Sequence, residues 1–228
     1  MLVVGRRVVP NVAAHAASRP LISRVAGPQF AQVTGSGAAT TINFSPPPDS
    51  EDVVYVWQVR LDGIAALATG GYSEIASGGS TDYFTIKVWR KRMGATPDTS
   101  VISVVNATAR SIVMGAIILR NVNAVTPEDV VPTMSGEAGG VAPITTVTAN
   151  TWILALYGAI NLNTLNIVSP PAGYGNFAAL SGTVAIGTQI IAAAGSTKLL
   201  VFAGTESPGN YSHDGYFNVG HTVAVRRA

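Results

Sequence analysis

The feature that most constrains this chain is a weak internal duplication, in which the second half of the sequence repeats the first at an offset of about 102 residues. The segment GGYSEIASG at 70–78 matches AGYGNFAAL at 172–180, and a Gly-Tyr pair falls at the same place in both. A chain that repeats itself at this spacing builds one supersecondary unit twice. The duplication therefore predicts two related halves, at residues 34–120 and 140–227.

Other segments match in the same order along the two halves. The matching pairs are TTINFS at 40–45 with ITTVTA at 144–149, VVYVWQVR at 53–60 with TWILALYGA at 151–159, TIKVWRK at 85–91 with TQIIAAA at 188–194, and IVMGAIILR at 112–120 with NVGHTVAVRR at 218–227. We therefore expect each half to contain the same succession of about five or six strands.

The hydrophobic pattern of these segments is typical of strands. In YFTIKVWRK, Phe84, Ile86 and Val88 alternate with polar or larger residues, as in a half-buried strand. IVMGAIILR and TWILALY are apolar on both faces, as in central strands that are covered on two sides. The sequence predicts an all-β, jelly-roll-like β-sandwich of about ten to twelve strands, in which the two halves share one core.

Residues 1–33 are expected to form an extended N-terminal arm ahead of a sandwich at 34–228, because they show no sustained alternation and contain three separated prolines. The arm holds no acidic residue and four candidate partner-binding arginines, Arg6, Arg7, Arg19 and Arg24. Four arginines spread this widely, without interleaved aromatic residues, make nucleic acid an unlikely partner. Docking of the arm on another protein subunit is the favoured interpretation.

The composition favours a protein that works in an assembly. Charged residues make up only 11% of the chain and hydrophobic ones 47%, whereas about a quarter of the residues of an ordinary soluble domain are charged. Such a surface suggests contact with neighbouring subunits, including further copies of the chain. No apolar run is long enough for a membrane-spanning helix, and the start of the chain is a poor signal peptide, so neither a membrane nor a secreted protein is expected.

No catalytic residue, metal site or cofactor site is predicted. Cysteine is absent, and none of the three histidines has the spacing of a metal ligand or a triad member: His15, His213 and His221. His213 and Asp214 lie in SPGNYSHDGYF, which is rich in turn formers and is interpreted as a polar loop. The acidic clusters at 49–52 and 128–129 lack the spacing of a calcium loop and are interpreted as solvated turns. We therefore expect no enzymatic activity.

Two tyrosines support an alternative function. Tyr211 and Tyr216 lie in the same polar segment, where their rings could stack on sugar rings. A carbohydrate-binding module that contacts glycans of the host surface is therefore the alternative to a purely structural protein.

Several segments resemble a family of phage and prophage β-sandwich proteins that are found among tail-fibre and other virion-associated proteins. The resemblance covers residues 34–227 and rests on DVVYVWQV, GGYSEIASG, FTIKVWRK, IILRNVNAVTPEDV and SPPAGYGNFAAL. It implies a non-enzymatic structural protein of a bacteriophage virion, assembled in the bacterial cytoplasm and bound to other capsid or tail proteins. A tail-fibre or baseplate module and a capsid decoration protein both fit it.

Overall fold

The prediction of an all-β fold is confirmed by the computed structural model. It describes residues 22–34, 38–61, 67–80, 84–104, 111–136, 140–162, 164–183, 189–215 and 217–228. Sixteen strands and no helix occur in these residues, and the pairings between these strands are antiparallel. The jelly-roll connectivity stays a prediction.

Seven strands belong to the first half of the chain. They are β1 (Ser23–Thr34), β2 (Ala39–Asn43), β3 (Val53–Leu61), β4 (Ser73–Ser80), β5 (Phe84–Arg92), β6 (Ser100–Val104) and β7 (Ser111–Arg120). The other nine are β8 (Thr133–Met134), β9 (Ile144–Thr145), β10 (Thr151–Asn161), β11 (Ile167–Ser169), β12 (Gly175–Thr183), β13 (Ile190–Leu200), β14 (Thr205–Glu206), β15 (Ser212–His213) and β16 (Phe217–Val225).

The two halves have the same strand order. The first sheet runs β4-β5-β3-β7-β1 and the second runs β12-β13-β10-β16-β8, so each strand has a counterpart at the same place. A two-stranded ribbon accompanies each sheet, β2-β6 in the first half and β9-β14 in the second. The second half adds a further ribbon, β11-β15, that has no counterpart among the described residues of the first.

The equivalence extends to local backbone detail. The Gly-Tyr turn before β4 places Gly71 at a φ of 82°, and the turn before β12 places Gly173 at 80°, a region that favours glycine. Just beyond each turn the register with the next strand shifts, between residues 74 and 76 in β4 and between residues 175 and 178 in β12. A bulge at the same place in both edge strands gives the two sheets the same local twist.

One hydrophobic cluster lies between the two sheets and draws on both halves, with Trp57 of β3 near its centre. A Cβ atom at Gly115 of β7 would lie 2.3 Å from the indole of Trp57, and one at Gly195 of β13 would lie 2.7 Å from it. The missing side chains of two glycines, one in each sheet, therefore make the space for the indole. Each sheet has a second cluster on its outer face.

Equivalent ends of β7 and β16 pair with each other. Residues 121–123 run antiparallel to residues 226–228, with a bridge between Val122 and Arg227. Because these two segments are counterparts, their pairing is the one that a local twofold axis produces. The axis passes through the end of the sandwich where β7 and β16 end and where β3 and β10 begin, which we call the pole.

The boundary between arm and sandwich differs from the expected one. Residues 23–33, which the sequence placed in the arm, lie in β1 and pair with β7 at the edge of the first sheet. The register shifts twice, between Arg24 and Ala26 and again between Ala26 and Gln29, and this irregularity hides the alternation of the strand. Residues 1–21 lie outside the described residues.

Candidate functional site

The structure describes one of the four arginines that were predicted to bind a partner. Arg24 lies in β1 opposite Leu119 of β7, and it is exposed. Its guanidinium folds over Gly27, with Nη1 2.8 Å from the position that a Cβ atom would take there. Arg24 is therefore part of the sandwich surface, while the other three lie outside the described residues: Arg6, Arg7 and Arg19.

Tyr211 lies in the core, which corrects the glycan site proposed for it. The side chain is only 2% exposed, and its hydroxyl donates to the Ala155 carbonyl at 2.6 Å and lies 2.6 Å from Ser196 Oγ. Its ring packs 4.8 Å from that of Tyr157, and burial raises the pKa of Tyr211. A buried ring cannot stack on a sugar at the surface; Tyr216 lies outside the described residues.

His213 and Asp214 hold the local loop together. His213 Nδ1 accepts from the Gly215 N–H at 2.9 Å, and Asp214 accepts from the Asn166 N–H at 2.7 Å. Burial lowers the pKa of His213, against the opposing effect of the Asp214 charge. These contacts give both side chains a role in the fold of the segment.

A tyrosine, a lysine and an acid recur at the same place in both halves. Lys91 Nζ lies 5.4 Å from the centre of the Tyr72 ring and 2.6 Å from Asp98. In the second half, Lys198 Nζ lies 5.7 Å from the ring of the equivalent tyrosine and 2.9 Å from Glu206. Each lysine ties the start of an edge strand to the ribbon of its own half, so this repeated cluster has a structural role.

The pole carries two grooves, one on each side of the local twofold axis. The first groove has a volume of about 350 Å³ and is lined by residues 50–52, Arg92 and residues 120–122, among others. The second has a volume of about 360 Å³ and is lined by Asn123, residues 148–150, Arg226 and Arg227. The same segments of the two halves therefore form both grooves.

In the first groove, carboxylates of the same half form ion pairs with both arginines. Arg120 donates through Nε and Nη2 to Asp52, at 2.8 Å each, and through Nη2 to Asp49. Arg92 donates to Glu51 at 3.3 Å and to the carbonyls of residues 122 and 123. The Asp52 and Asp49 contacts raise the pKa of Arg120. Asp52 is buried, so the interpretation of this segment as a solvated turn holds only for its exposed members.

In the second groove, fewer carboxylates balance the charge of the two arginines. Arg226 Nε lies 3.6 Å from Asp129, whose buried carboxylate also accepts from the N–H groups of Val147 and Thr148. Among the described residues, no ion pair forms with Arg227. Arg226 aligns with Arg120 in the duplication, and this match was the signal in the sequence that could have located the groove.

The flanks of the second groove are apolar. Val147 is 65% exposed, Val201 54% and Phe202 81%. Val147 precedes Thr148, which lines the groove. The Val201 carbonyl accepts from the N–H of Asn150, another lining residue, at 3.2 Å. Exposed apolar side chains grouped beside a basic groove mark a surface for contact with another molecule.

The described part of the chain contains no group of three or more His, Cys, Asp or Glu side chains that could hold a metal ion. It also contains no helix long and apolar enough to cross a membrane.

Comparison of the chain with protein-family models, with curated proteins and with solved structures gives no match.

Proposed function

We propose that this chain is a non-enzymatic structural protein of a bacteriophage virion, located in the tail or as a decoration of the capsid. Its sandwich carries the second half against neighbouring subunits, and residues 1–21 bind a virion partner. The resemblance of residues 34–227 to virion-associated β-sandwich proteins supports the virion context.

The observation that carries the proposal is the difference between the surfaces of the two halves. The first half, residues 34–120, contains 14 charged residues and the second, residues 140–227, contains 5. Among the described residues, the large exposed hydrophobic side chains show the opposite distribution, with Val104 in the first half and seven in the second: Val147, Leu162, Val168, Leu199, Val201, Phe202 and Phe217.

The shared topology makes this difference informative. Two copies of one fold in the same solvent have no reason to differ in surface polarity, because both need the same cover of polar groups. Exposed apolar side chains that are concentrated on one side of a protein mark a surface for contact with another molecule. The second half is therefore the side that neighbours cover, and the first half, away from the pole, is the side that faces water.

The N-terminal segment supplies the second contact. Residues 1–21 carry Arg6, Arg7 and Arg19 without any acid, so an acidic surface of a neighbouring protein is their complement. Exposed ion pairs are screened beyond about 8 Å at physiological ionic strength, so attachment should weaken as salt is added.

The alternative, a carbohydrate-binding host-adhesion module, is less well supported. Of its two candidate residues, Tyr211 belongs to the core. No second function is proposed.

The test is to supply the full chain, or a chain without residues 1–21, during phage growth and to quantify each in purified particles by mass spectrometry. The proposal predicts the full chain in particles, and the shortened chain at no more than about a tenth of that amount. Absence of the full chain from particles would contradict a virion function. A shortened chain at full occupancy would contradict anchoring by the N-terminal segment. Electron cryo-microscopy of the same particles would distinguish a tail position from a capsid position.

A further inference from the structure

The two sides of the pole carry opposite charge. In the first groove the carboxylates of Asp49, Glu51 and Asp52 face the two guanidiniums of Arg92 and Arg120, so one negative charge remains. Asp49 and Glu51 have side chains that are 74% and 71% exposed. The excess negative charge is therefore presented to solvent.

The second groove has the complementary charge. Among the described residues, its one ion pair joins Arg226 to Asp129, and Arg227 adds a second guanidinium to the lining, so one positive charge remains. Residues 147–150, which occupy the place of the acidic segment of the first half, contain no acid. The second groove thus lacks the exposed carboxylates that pair with the arginines of the first groove.

We propose that two copies of this chain associate pole to pole, with the acidic lip of each copy, residues 46–51, seated in the second groove of the other. The lip places two exposed carboxylates beside the exposed prolines Pro46 and Pro47. The carboxylates complement the arginines of the groove, and the prolines complement its apolar flank at Phe202.

The lip is suited to binding because it is stiff. Three consecutive prolines fix their own φ angles, so ordering this segment at an interface costs little further conformational entropy. On its own subunit the lip is held by the contacts of Asp49 and Asp52 to Arg120. The lip therefore meets a partner in one preformed arrangement.

The arrangement is self-complementary. Lip and groove lie on opposite sides of the local axis at the same pole, so a second copy turned by a twofold rotation makes both contacts at once. Such an isologous contact closes at two subunits and leaves neither lip nor groove free. This association goes beyond the proposed virion function and does not use residues 1–21.

The test is sedimentation velocity of the full chain over a range of concentrations, at about 50 mM and about 500 mM NaCl. We expect a monomer–dimer equilibrium whose dissociation constant rises at least about tenfold at the higher salt concentration. A chain lacking residues 1–21 should give the same dissociation constant, which separates this association from anchoring by the arm. A wild-type chain that stays monomeric at all concentrations would overturn the proposal.

Reversal of charge identifies the contact. Arg227→Glu and Glu51→Lys should each raise the dissociation constant at least about tenfold, and the double variant should return it to within about threefold of wild type. Lys87→Glu, a charge reversal in the middle of β5, is the matched control and should leave the dissociation constant unchanged. Single reversals without effect, or a double variant no tighter than the singles, would overturn the proposal. Phe202→Ser tests the apolar flank independently and should also weaken the dimer, and circular dichroism shows that each variant is folded.

Discussion

In the first half Trp57 of β3 pairs with Gly115 of β7, whereas at the equivalent place in the second half Leu156 of β10 pairs with His221 of β16. The first half therefore pairs a very large side chain with a glycine, and the second half pairs two side chains of intermediate size. The indole also occupies the space above Gly195 in the other sheet. The two halves thus share one folding plan but are not interchangeable in the core.

This difference has a consequence for the duplication. The counterpart of Gly195 in the first half is Val88, which pairs with Trp57 as Gly195 pairs with Leu156. If two first halves packed together, the valine would occupy the space that the indole needs. The two sets of core residues are complementary as a pair, so the sandwich depends on having one half of each kind.

The largest expected effect comes from the first strand, where the halves differ most. β1 has 12 residues and its counterpart β8 has 2, and Phe30 of β1 packs edge-on against Trp57 at 5.4 Å. Deleting residues 1–33 should abolish cooperative unfolding, because it exposes β7 and one side of the core. Deleting residues 1–21 should change the free energy of unfolding by less than about 1 kcal/mol. Urea titrations followed by tryptophan fluorescence measure both, and equal midpoints for the two deletions would show that β1 is dispensable.

The next effect concerns the packing of tryptophan on glycine. Gly115→Ala should lower the free energy of unfolding by about 3 kcal/mol, because the new methyl group overlaps the indole. Adding Trp57→Leu, which imitates the second half, should recover part of that loss. Gly94→Ala is the control, since a Cβ atom at Gly94 meets nothing within 4 Å, and should stay within about 0.5 kcal/mol. If Gly115→Ala cost no more than Gly94→Ala, this packing argument would be wrong.

His221 gives the second half a dependence on pH that the first half lacks at the equivalent glycine. Burial lowers the pKa of His221 to about 4, with partial compensation from the backbone of Ile86 and Thr133. As the pH falls below about 6.5, the unfolded chain takes up this proton before the folded one does, so the free energy of unfolding falls by about 1.4 kcal/mol per pH unit until about pH 4. Above about pH 6.5 the group has no effect.

Comparison with His221→Leu isolates this contribution. Between pH 6.5 and 5 the wild type should lose about 2 kcal/mol more than the variant. Chemical unfolding at both pH values measures the difference. Parallel losses in the two proteins would show that His221 takes up its proton equally in the folded and unfolded states.

The smallest effect tests what the two halves retain in common. Lys91→Met and Lys198→Met should each lower the free energy of unfolding by about 0.5 kcal/mol, because each removes one cation–π contact and one partly exposed ion pair. Thermal unfolding of the two variants should show similar decreases in melting temperature relative to the wild type. A large shift for one lysine alone would mean that the repeated cluster has diverged in function.

The strands and their succession along the chain could be predicted from the sequence because they depend on local patterns. Alternation in residues 84–92 and the apolar runs at 112–119 and 151–157 indicate the strands directly. The Gly-Tyr turns place the edge strands of the two halves at equivalent positions. Each of these patterns lies within about ten residues of the strand or turn that it predicts, so no distant contact is needed to recognise it.

Other features could not be predicted because they depend on distant contacts. Tyr211 belongs to a segment that resembles a loop, and its burial follows from the carbonyl of Ala155 on another strand. Asp52 resembles a solvated acid until Arg120 is placed beside it by the pairing of β3 with β7. The start of the sandwich was missed because Pro28 breaks the alternation of β1.

The central claim is that one half faces water and the other faces neighbours, and hydroxyl-radical footprinting of assembled particles tests it most directly. Oxidation of Leu162 and Phe217 should be at least about fivefold slower in particles than in the isolated chain, because these exposed side chains become covered. Oxidation of Val104 in the first half should be unchanged. Equal oxidation of the second-half residues in particles and in the free protein, or protection of Val104 alone, would contradict the account.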